Sequence, residues 1–256
     1  MISMVKKRSD YFRKQVINKY FGIEERFLWW VGESKDRLIR IIQLIFSGIK
    51  AIRVWSLTWW KNLPARQTWQ SFVTWWRDLT INIADFIGIG ELYQTASDLF
   101  KFNTRPLSSR EIKVAQSVFG DALSYELIRL DESAFIGPRQ GKFAYVSFHT
   151  INSWGKMPDS ILIHELMHVW QYEQMGAVYI PKALAAQHSK HGYDYGGLEA
   201  LEEHQAIGLK AFNLEQQADI VADYYRIKND IKPQWAKATK ADLGVYESYI
   251  GEIRRD

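Results

Sequence analysis

Two short segments rich in metal-ligand side chains place the strongest constraint on how this chain can fold. The first is His164-Glu165-Leu166-Met167-His168, and the second, Glu215-Gln216-Gln217-Ala218-Asp219, begins 47 residues after His168. On an α-helix, His164 and His168 lie one turn apart and can offer two imidazole nitrogens to a single metal ion. Glu215 can supply a carboxylate as the third ligand. We therefore expect the fold to bring these two segments together.

The first segment has the surroundings of an amphipathic helix. One flank carries Ile163, Leu166, Met167 and Trp170, and the other carries His164, Glu165, His168 and Gln171. Asp159 or Ser160, after Pro158, is the predicted N-cap, and Gly176 is the predicted end of the helix. An alternative is that the histidines decorate a polar face or satisfy buried hydrogen bonds.

The second segment lies within residues 211–225, which also read as a helix. Its small residues Ala218 and Ala222 would allow close packing on another helix. A zinc-bound histidine usually donates its other ring N–H to a carboxylate. Asp219, four residues after Glu215, can accept from one of the two histidines. The alternative is an ordinary solvated acidic face.

Two histidines and one glutamate leave a fourth coordination position open, which is typical of catalytic zinc. The chain has no cysteine, so no thiolate site competes for the ion and no disulfide framework exists. Zn²⁺ lowers the pKa of a bound water and polarises a carbonyl group. Glu165 is the predicted general base, which takes the water proton and delivers it to the leaving amine.

A further hydrogen-bond donor is expected to face the developing oxyanion. Residues 188–197, between the two ligand segments, are rich in glycine and tyrosine and read as a loop. The candidate donors in this loop are Tyr193, Tyr195, His188 and His191. The alternative is that these side chains only pack.

The ligand pattern resembles the gluzincin clan of thermolysin-like peptidases, especially its compact single-lobed forms. Residues 105–228 also look like metallopeptidase domains of bacteria that occur beside Rhs/Vgr components of type VI secretion and contractile-injection systems. The segments that carry this likeness are Arg105-Pro106-Leu107-Ser108, Val118-Phe119-Gly120-Asp121-Ala122-Leu123, His164-Glu165-Leu166-Met167-His168-Val169-Trp170-Gln171 and Glu215-Gln216-Gln217-Ala218-Asp219. The resemblance implies a zinc peptidase fold with a toxin or processing role.

The chain departs from the thermolysin pattern beside the third ligand. Thermolysin-type enzymes place an asparagine immediately before that ligand, whereas here Leu214 intervenes and Asn213 lies two residues back. This departure concerns a contact to substrate rather than the metal ligands.

Charge divides the chain unevenly. Residues 1–80 contain 15 Lys or Arg and 6 Asp or Glu, a net charge of +9, and the remainder holds 18 and 23, a net charge of −5. The basic part carries eight tryptophans, namely Trp29, Trp30, Trp55, Trp59, Trp60, Trp69, Trp75 and Trp76. Such a split suggests two regions with different partners.

The basic region reads as amphipathic helices. Ile41, Ile42, Ile45, Ile49 and Ile52 form an apolar stripe, and the Thr-Trp-Trp core of residues 57–63 recurs in residues 73–79 beyond Pro64. Three roles stay open for residues 1–100: packing on the catalytic domain, peripheral membrane contact, and contact with a partner protein. Nucleic acid is not expected, because the tryptophans follow helical stripes rather than a single-strand-binding platform.

We therefore predict a mostly helical α+β protein. Residues 1–100 form the helical region, with a short last helix at 91–100; 101–107 form a linker; and 108–256 form a zincin-like domain. In that domain we expect a first helix that is capped by Ser108 or Ser109 and ends near Phe119. Two strands should follow, at 125–130 and 143–150, joined by a turn at 137–141. Further helices are expected at 179–187 and after Pro233. An extended substrate would pair with the 143–150 edge strand.

The predicted function is zinc-dependent hydrolysis of a peptide or protein substrate by an effector or processing protease. The alternative is a non-enzymatic, metal-stabilised scaffold or adaptor of a secretion system, although the intact Glu165 favours an enzyme. Residues 1–8 start like a signal peptide, but no apolar region follows and no stretch spans a bilayer. We therefore expect cytoplasmic synthesis without Sec export, followed by export through a dedicated secretion machine or by peripheral membrane association.

Overall fold

The computed structural model describes residues 2–59, 65–101, 103–135, 138–141 and 143–254. The chain divides into two compact units, which we call the helical unit (residues 1–100 and 176–178) and the sheet unit (residues 101–175 and 179–256). The fold is mostly helical with one small four-stranded mixed sheet. The predicted α+β class is therefore confirmed.

The helical unit contains three α-helices that contact one another. They are α1 (Ile2–Trp59), α2 (Ala65–Phe86) and α3 (Ile89–Phe100). Gly88, with φ of 78°, forms the turn between α2 and α3, where a residue with a Cβ would be strained. Residues 60–64, including Trp60 and Pro64, lie outside the described residues, as do the side chains of Ile52, Trp55 and Trp59. None of the described helices combines the length and the apolar composition that a membrane span requires.

The sheet of the second unit has the strand order β1-β2-β4-β3. Its strands are β1 (Thr104–Pro106), β2 (Arg129–Asp131), β3 (Tyr145–Ser147) and β4 (Thr150–Asn152). The β2 and β4 strands run parallel, whereas β1 pairs antiparallel with β2 and β3 pairs antiparallel with β4. The segment predicted as a linker thus contains the β1 strand, because its residues 104–106 pair with 129–131.

The two predicted strands differ from those observed. Residues 125–128 form turns, with Leu127 N–H donating to the Ser124 carbonyl, so that only 129–131 pair as a strand. Residues 143–150 form half of a hairpin rather than one strand, because Phe148 adopts φ of 56° and reverses the chain between β3 and β4. In the predicted turn, the short helix α5 (Pro138–Gly141) is observed, and residues 136, 137 and 142 lie outside the described residues.

Helices of the sheet unit surround one apolar core. They are α4 (Ser109–Phe119), α6 (Asp159–Met175), α7 (Tyr179–Gln187), α8 (Gly197–His204), α9 (Leu214–Lys228) and α10 (Leu243–Ile253), with 3-10 turns at Gly208–Ala211 and Lys240–Asp242. The predicted boundaries of α4 and α7 are confirmed, and Ser108 caps α4 through a capping box with Glu111. The side chains at the centre of the core are Val118, Phe119, Ile128, Ile151, Ile163, Leu166, Met167, Ile220, Val221, Tyr246, Tyr249 and Ile253.

The packing of α6 on α9 positions the candidate site. Ala218 and Ala222 of α9 are fully buried, and small side chains allow the two helices to approach closely. The α6 helix begins at Asp159 and ends at Met175, where Gly176 has φ of 67° and stops it as predicted. Both flanks of α6 are buried rather than one alone, because its polar flank faces a cleft instead of bulk solvent.

Candidate metal centre

The two histidines of α6 lie side by side. Their ring centroids are 4.9 Å apart, and both side chains are buried. Leu166 and Met167, which lie between them in sequence, point into the core and are fully buried. The apolar flank therefore anchors the helix and fixes the direction in which both imidazoles point.

Glu215 reaches the histidines from the first turn of α9. Asn213 is the N-cap of that helix, and its side-chain oxygen accepts from the backbone N–H groups of Glu215 (2.9 Å) and Gln216 (3.0 Å). A polar cap explains why Asn213 stands two residues before the predicted ligand. The cap fixes the start of the helix, and with it the position of Glu215.

Three atoms converge on one point. Oε2 of Glu215 lies 3.2 Å from Nε2 of His168 and 3.4 Å from Nε2 of His164. These three residues can offer ligand atoms that all lie within 4.8 Å of one another. The structure thus brings together the three predicted metal ligands, on two different helices.

The other ring nitrogen of each histidine is held by a neighbouring side chain. Nδ1 of His164 lies 3.0 Å from Oδ1 of Asp219, and Nδ1 of His168 lies 2.8 Å from Oε1 of Gln171. These contacts direct both Nε2 atoms toward Glu215. The sequence predicts the Asp219 contact but places Gln171 only on the same flank, although its position three residues after His168 is compatible with the contact.

Trp235 holds Asp219 from the far side. Its indole Nε1 donates to Oδ2 of Asp219 at 2.7 Å. The backbone at Trp235 is fixed in turn by Asp223, whose carboxylate accepts from the N–H of Gln234 (2.7 Å) and of Trp235 (3.0 Å). Neither Trp235 nor Asp223 was predicted, because the tryptophan comes from a loop 16 residues beyond Asp219 that no periodicity describes.

The charges of the cluster shift several pKa values. Burial disfavours the protonated form of His164, but hydrogen bonds to Asp219 and Glu215 outweigh it and raise the pKa of His164 to about 10. Burial likewise disfavours the ionised form of Glu215, yet hydrogen bonds from the two histidines lower its pKa to about 2. At neutral pH Glu215 is therefore ionised, as a carboxylate ligand must be, whereas His164 would have to release a proton to bind a metal ion.

Glu165 lies in the same cleft without a hydrogen-bond partner at one oxygen. Burial raises its pKa. Within the described residues, Oε2 of Glu165 and Oε1 of Glu215 are buried and accept no hydrogen bond. Buried carboxylate oxygens normally have a hydrogen-bond partner, so these two atoms are free to contact a further group.

The site opens into a cleft of about 1120 Å³. The β3 strand, at the end of the sheet, contributes residues 145–147 to the cleft wall, and α7 contributes Tyr179. The ring of Tyr179, which was not predicted as a site residue, lies 5.7 Å from that of His168, and burial raises its pKa well above the usual value. The cleft is long enough to reach from the metal-ligand cluster to the sheet edge.

Of the four candidate oxyanion donors, only Tyr193 lines this cleft. Its ring centroid lies 6.0 Å from that of His164, and burial together with Glu215 raises its pKa to about 12, so that it keeps its proton at neutral pH. The other three candidates lie elsewhere. Tyr195 is buried and its hydroxyl donates to Asp223, whereas His188 and His191 are exposed, with Nδ1 of His188 beside the Leu184 carbonyl.

Part of the chain is similar to a protein of bacterial secretion. No family model matches the chain, and no solved structure matches it. The chain is 29% identical over 158 residues to the type VI secretion system spike protein VgrG2b of Pseudomonas aeruginosa (strain PAO1). The match covers 57% of this chain and 15% of that protein, so the chain spans only a small part of its relative's length. This similarity to a segment of a spike protein supports an association with bacterial secretion.

Proposed function

We propose that this chain is a zinc-dependent peptidase associated with a bacterial secretion system. The observation that carries the proposal is the convergence of His164 Nε2, His168 Nε2 and Glu215 Oε2, with Glu165 beside them in an open cleft. Two imidazoles and one carboxylate are a ligand set of catalytic zinc sites, which keep one position for water or substrate. The similarity to a secretion spike protein supports the association with secretion.

The residues present fit a zinc ion. Their nitrogen and oxygen donors suit Zn²⁺, and each imidazole has its second nitrogen held by a buried acceptor, as in known zinc centres. The buried oxygens of Glu165 and Glu215 that lack hydrogen bonds need a partner. His164, His168 and Glu215 would hold the ion.

The proposed mechanism assigns a task to each side chain. A bound zinc ion would lower the pKa of a water molecule and polarise the substrate carbonyl. Glu165 accepts a proton from the attacking water and passes it to the nitrogen of the leaving amine. The burial that raises the pKa of Glu165 also helps it to hold this proton between the two transfers. Tyr193, protonated in the cleft, donates to the oxygen of the carbonyl under attack.

The substrate is a peptide or protein segment bound in extended form. The β3 strand lines the cleft at the end of the sheet. An extended peptide can add to such an edge through backbone hydrogen bonds, with its side chains alternating between the cleft and solvent. A secretion-associated effector or a processing protease would both use this arrangement.

The similarity to a spike protein favours a second candidate function. VgrG2b is described as a spike protein, so this chain could instead be a metal-stabilised scaffold or adaptor. The two candidates differ at Glu165, because a scaffold has no need of a buried base whose carboxylate oxygen lacks a partner.

Glu165→Gln tests the peptidase. The purified full chain would be analysed for zinc by mass spectrometry and incubated with a proteome-derived peptide library to find cleaved bonds. Glutamine keeps the size of the side chain but cannot accept the proton, so we expect one zinc per chain and turnover lower by at least about 100-fold. The exposed Glu203→Gln is the matched control and should cleave like the wild type.

Three outcomes would contradict the proposal. Unchanged turnover in zinc-loaded Glu165→Gln would exclude Glu165 as the base. A wild-type chain that holds stoichiometric zinc and cleaves no library peptide would favour the scaffold.

His168→Ala should lose stoichiometric zinc, and a full equivalent of zinc in that variant would mean that the ligand assignment is wrong.

A further inference from the structure

The helical unit reverses the usual burial pattern of a water-exposed protein, and α3 shows this most clearly. Its buried side chains are polar or charged: Glu91, Gln94 and Asp98. Its exposed side chains include Ile89, Leu92, Leu99 and Phe100, with exposed fractions of 49%, 68%, 52% and 83%. An amphipathic helix on a water-soluble core presents the opposite faces.

The inward carboxylates of α2 and α3 pair with arginines of α1. Nη1 of Arg26 lies 2.6 Å from Oδ2 of Asp98. Arg37 pairs with Glu91. Nη2 of Arg40 lies 3.2 Å from Oδ2 of Asp85. The side chains of Arg26 and Arg37 are only 2% and 1% exposed. Buried charges are costly unless they are paired, so among the described side chains of this unit ion pairs occupy interior positions where most proteins have apolar side chains.

The helices α1 and α2 also expose apolar side chains, beside exposed polar ones. On α2, a stripe at intervals of three, four and seven residues is exposed: Trp69, Phe72, Val73, Trp76 and Ile83. On α1, the exposed apolar side chains include Leu38, Ile39, Ile42, Ile45, Phe46 and Ile49. Of the stripe that the sequence predicts on α1, Ile42, Ile45 and Ile49 therefore lie on the outside of the unit, whereas Ile41 is half-buried. We call these exposed side chains of α1, α2 and α3 the apolar outer surface.

We propose that the apolar outer surface inserts among the acyl chains of an anionic lipid bilayer. Each of the three helices contacts the other two, so their outer faces diverge, and a second copy related by a two-fold axis would cover only one continuous patch. Lipid can contact all three faces at once. In hydrocarbon, ionised side chains turn into the bundle and pair with one another, as the arginines and carboxylates do here.

The net charge of the N-terminal region indicates which class of lipid the apolar outer surface would contact. Residues 1–80 carry a net charge of +9, from 15 basic and 6 acidic residues. Each basic side chain near a membrane surface is attracted by anionic headgroups. Tryptophan, abundant in the same segment, is the residue enriched where hydrocarbon meets headgroups. Apolar insertion and headgroup attraction would thus act together.

Vesicle flotation of the full chain tests the proposal. The probes are vesicles of phosphatidylethanolamine with about one-third phosphatidylglycerol, and vesicles of phosphatidylcholine alone. We expect the wild type to float with the anionic vesicles. The variant Trp76→Glu, Ile83→Glu, Leu92→Glu should lose at least about ten-fold in binding, because charges on the outer surface must then enter hydrocarbon.

Two controls separate surface charge and misfolding from lipid insertion. Gln43→Glu, Gln70→Glu, Thr74→Glu adds the same charge at exposed polar positions and should retain most of the vesicle binding. Helix content by circular dichroism should match the wild type in both triple variants. If the outer-surface variant does not fold, the single variant Leu92→Gln replaces it. We expect this variant to show an intermediate loss of vesicle binding.

Introduced cysteines report the contact directly, since the chain has none of its own. A polarity-sensitive dye attached to Ile83→Cys or Leu92→Cys should brighten severalfold with anionic vesicles, whereas the dye at Gln70→Cys should change little. Absence of flotation, or equal brightening at all three positions, would overturn the proposal. Shielding of the first two dyes in a lipid-free dimer, measured by sedimentation, would instead assign the surface to a second copy and also overturn it.

Discussion

At the scale of single residues, the orientation of His164 depends on a relay of hydrogen bonds. Asp219 accepts from the imidazole, Trp235 donates to Asp219, and Asp223 fixes the backbone at Trp235. His168 is held independently by Gln171, which itself donates to the Leu214 carbonyl. The two imidazoles are thus oriented by separate partners, and a change behind one should leave the other in place.

Removing Asp219 should weaken zinc binding without abolishing it. Asp219→Ala leaves all three ligands but frees the His164 ring, and the loss of such a carboxylate usually costs about 10- to 100-fold in metal affinity. Competition with a chromophoric chelator measures the change. The exposed Asp121→Ala is the control. An Asp219→Ala affinity equal to that of the wild type would mean that the contact does not orient the ligand.

The tryptophan contact extends the same test. Trp235→Phe keeps an aromatic ring but removes the N–H that reaches Asp219, so zinc affinity should fall by a smaller factor than in Asp219→Ala. Trp170 of α6 is the matched control, because its Nε1 is buried and has no hydrogen-bond partner among the described residues. Trp170→Phe should therefore leave zinc affinity unchanged, and a loss equal to that of Trp235→Phe would contradict the relay.

Residue types and helical spacing predict the ligands but not every neighbour. His164 and His168 follow from their one-turn spacing on a helix, which fixes the direction of each side chain, and Glu215 follows from its carboxylate in the second segment. Tyr193 and Tyr195 lie two residues apart in a loop, and only the first faces the cleft. Positive φ angles at Gly192 and Gly196 set the path of that loop, and no sequence period encodes such a path.

At the scale of secondary-structure elements, Arg105 joins β1, α4 and the residue after β2. Its guanidinium donates to Glu111 at 2.8 Å and to Glu132 at 2.9 Å. Glu111 also accepts from Ser108 at the start of α4. One cation therefore links the first strand of the sheet to the helix that follows it.

This link should make stability depend on pH. The hydrogen bond from Arg105 outweighs burial and lowers the pKa of Glu111 to about 2. A carboxyl group whose pKa is lower in the folded than in the unfolded state stabilises the fold at pH values above its unfolded-state pKa. This contribution to stability is lost as the pH falls from about 4.5 toward 2. Glu111→Gln keeps the capping box but removes the charge. At pH 7 it should lower the free energy of unfolding by about 1 kcal/mol, after solvent screening.

Urea unfolding across pH 2–7 measures the effect. The difference in the free energy of unfolding between wild type and Glu111→Gln should be largest at pH 7 and should disappear by about pH 2. The exposed Glu126→Gln should show no such difference. A gap between wild type and Glu111→Gln that persists unchanged at pH 2 would contradict the ionic origin of the link.

Element boundaries are predictable where a cap marks them and uncertain where strands are short. Ser108 before α4 and Gly176 after α6 have clear physical roles, and the structure places both as predicted. Each strand has only three residues, too few for alternation to distinguish a strand from a hairpin. The reversal at Phe148 could not be predicted, because a non-glycine residue with positive φ leaves no mark in the sequence.

At the scale of the whole molecule, the sequence indicates two regions of opposite charge but not which faces they bury. Helical periodicity shows that an apolar face exists, without saying what covers it. In the sheet unit the apolar faces meet in a core. In the described part of the helical unit, ion pairs lie in the interior and most of the large apolar side chains are exposed. Long-range ion pairs, such as that of Arg37 with Glu91, 54 residues apart, decide which side chains the helical unit buries.

Zinc should stabilise the chain through the pairing of α6 with α9. A ligand that binds only the folded state adds about 2.7 kcal/mol when its free concentration is 100 times its Kd. For a chain of this size we expect the thermal midpoint of the sheet unit to rise by roughly 5 to 10 °C. Scanning calorimetry of chelator-treated and zinc-loaded full chain measures the shift, and hydrogen exchange should slow in residues 159–175 and 214–228. Neither effect should occur in His168→Ala, and an equal midpoint shift in that variant would show that zinc stabilises the chain from another site.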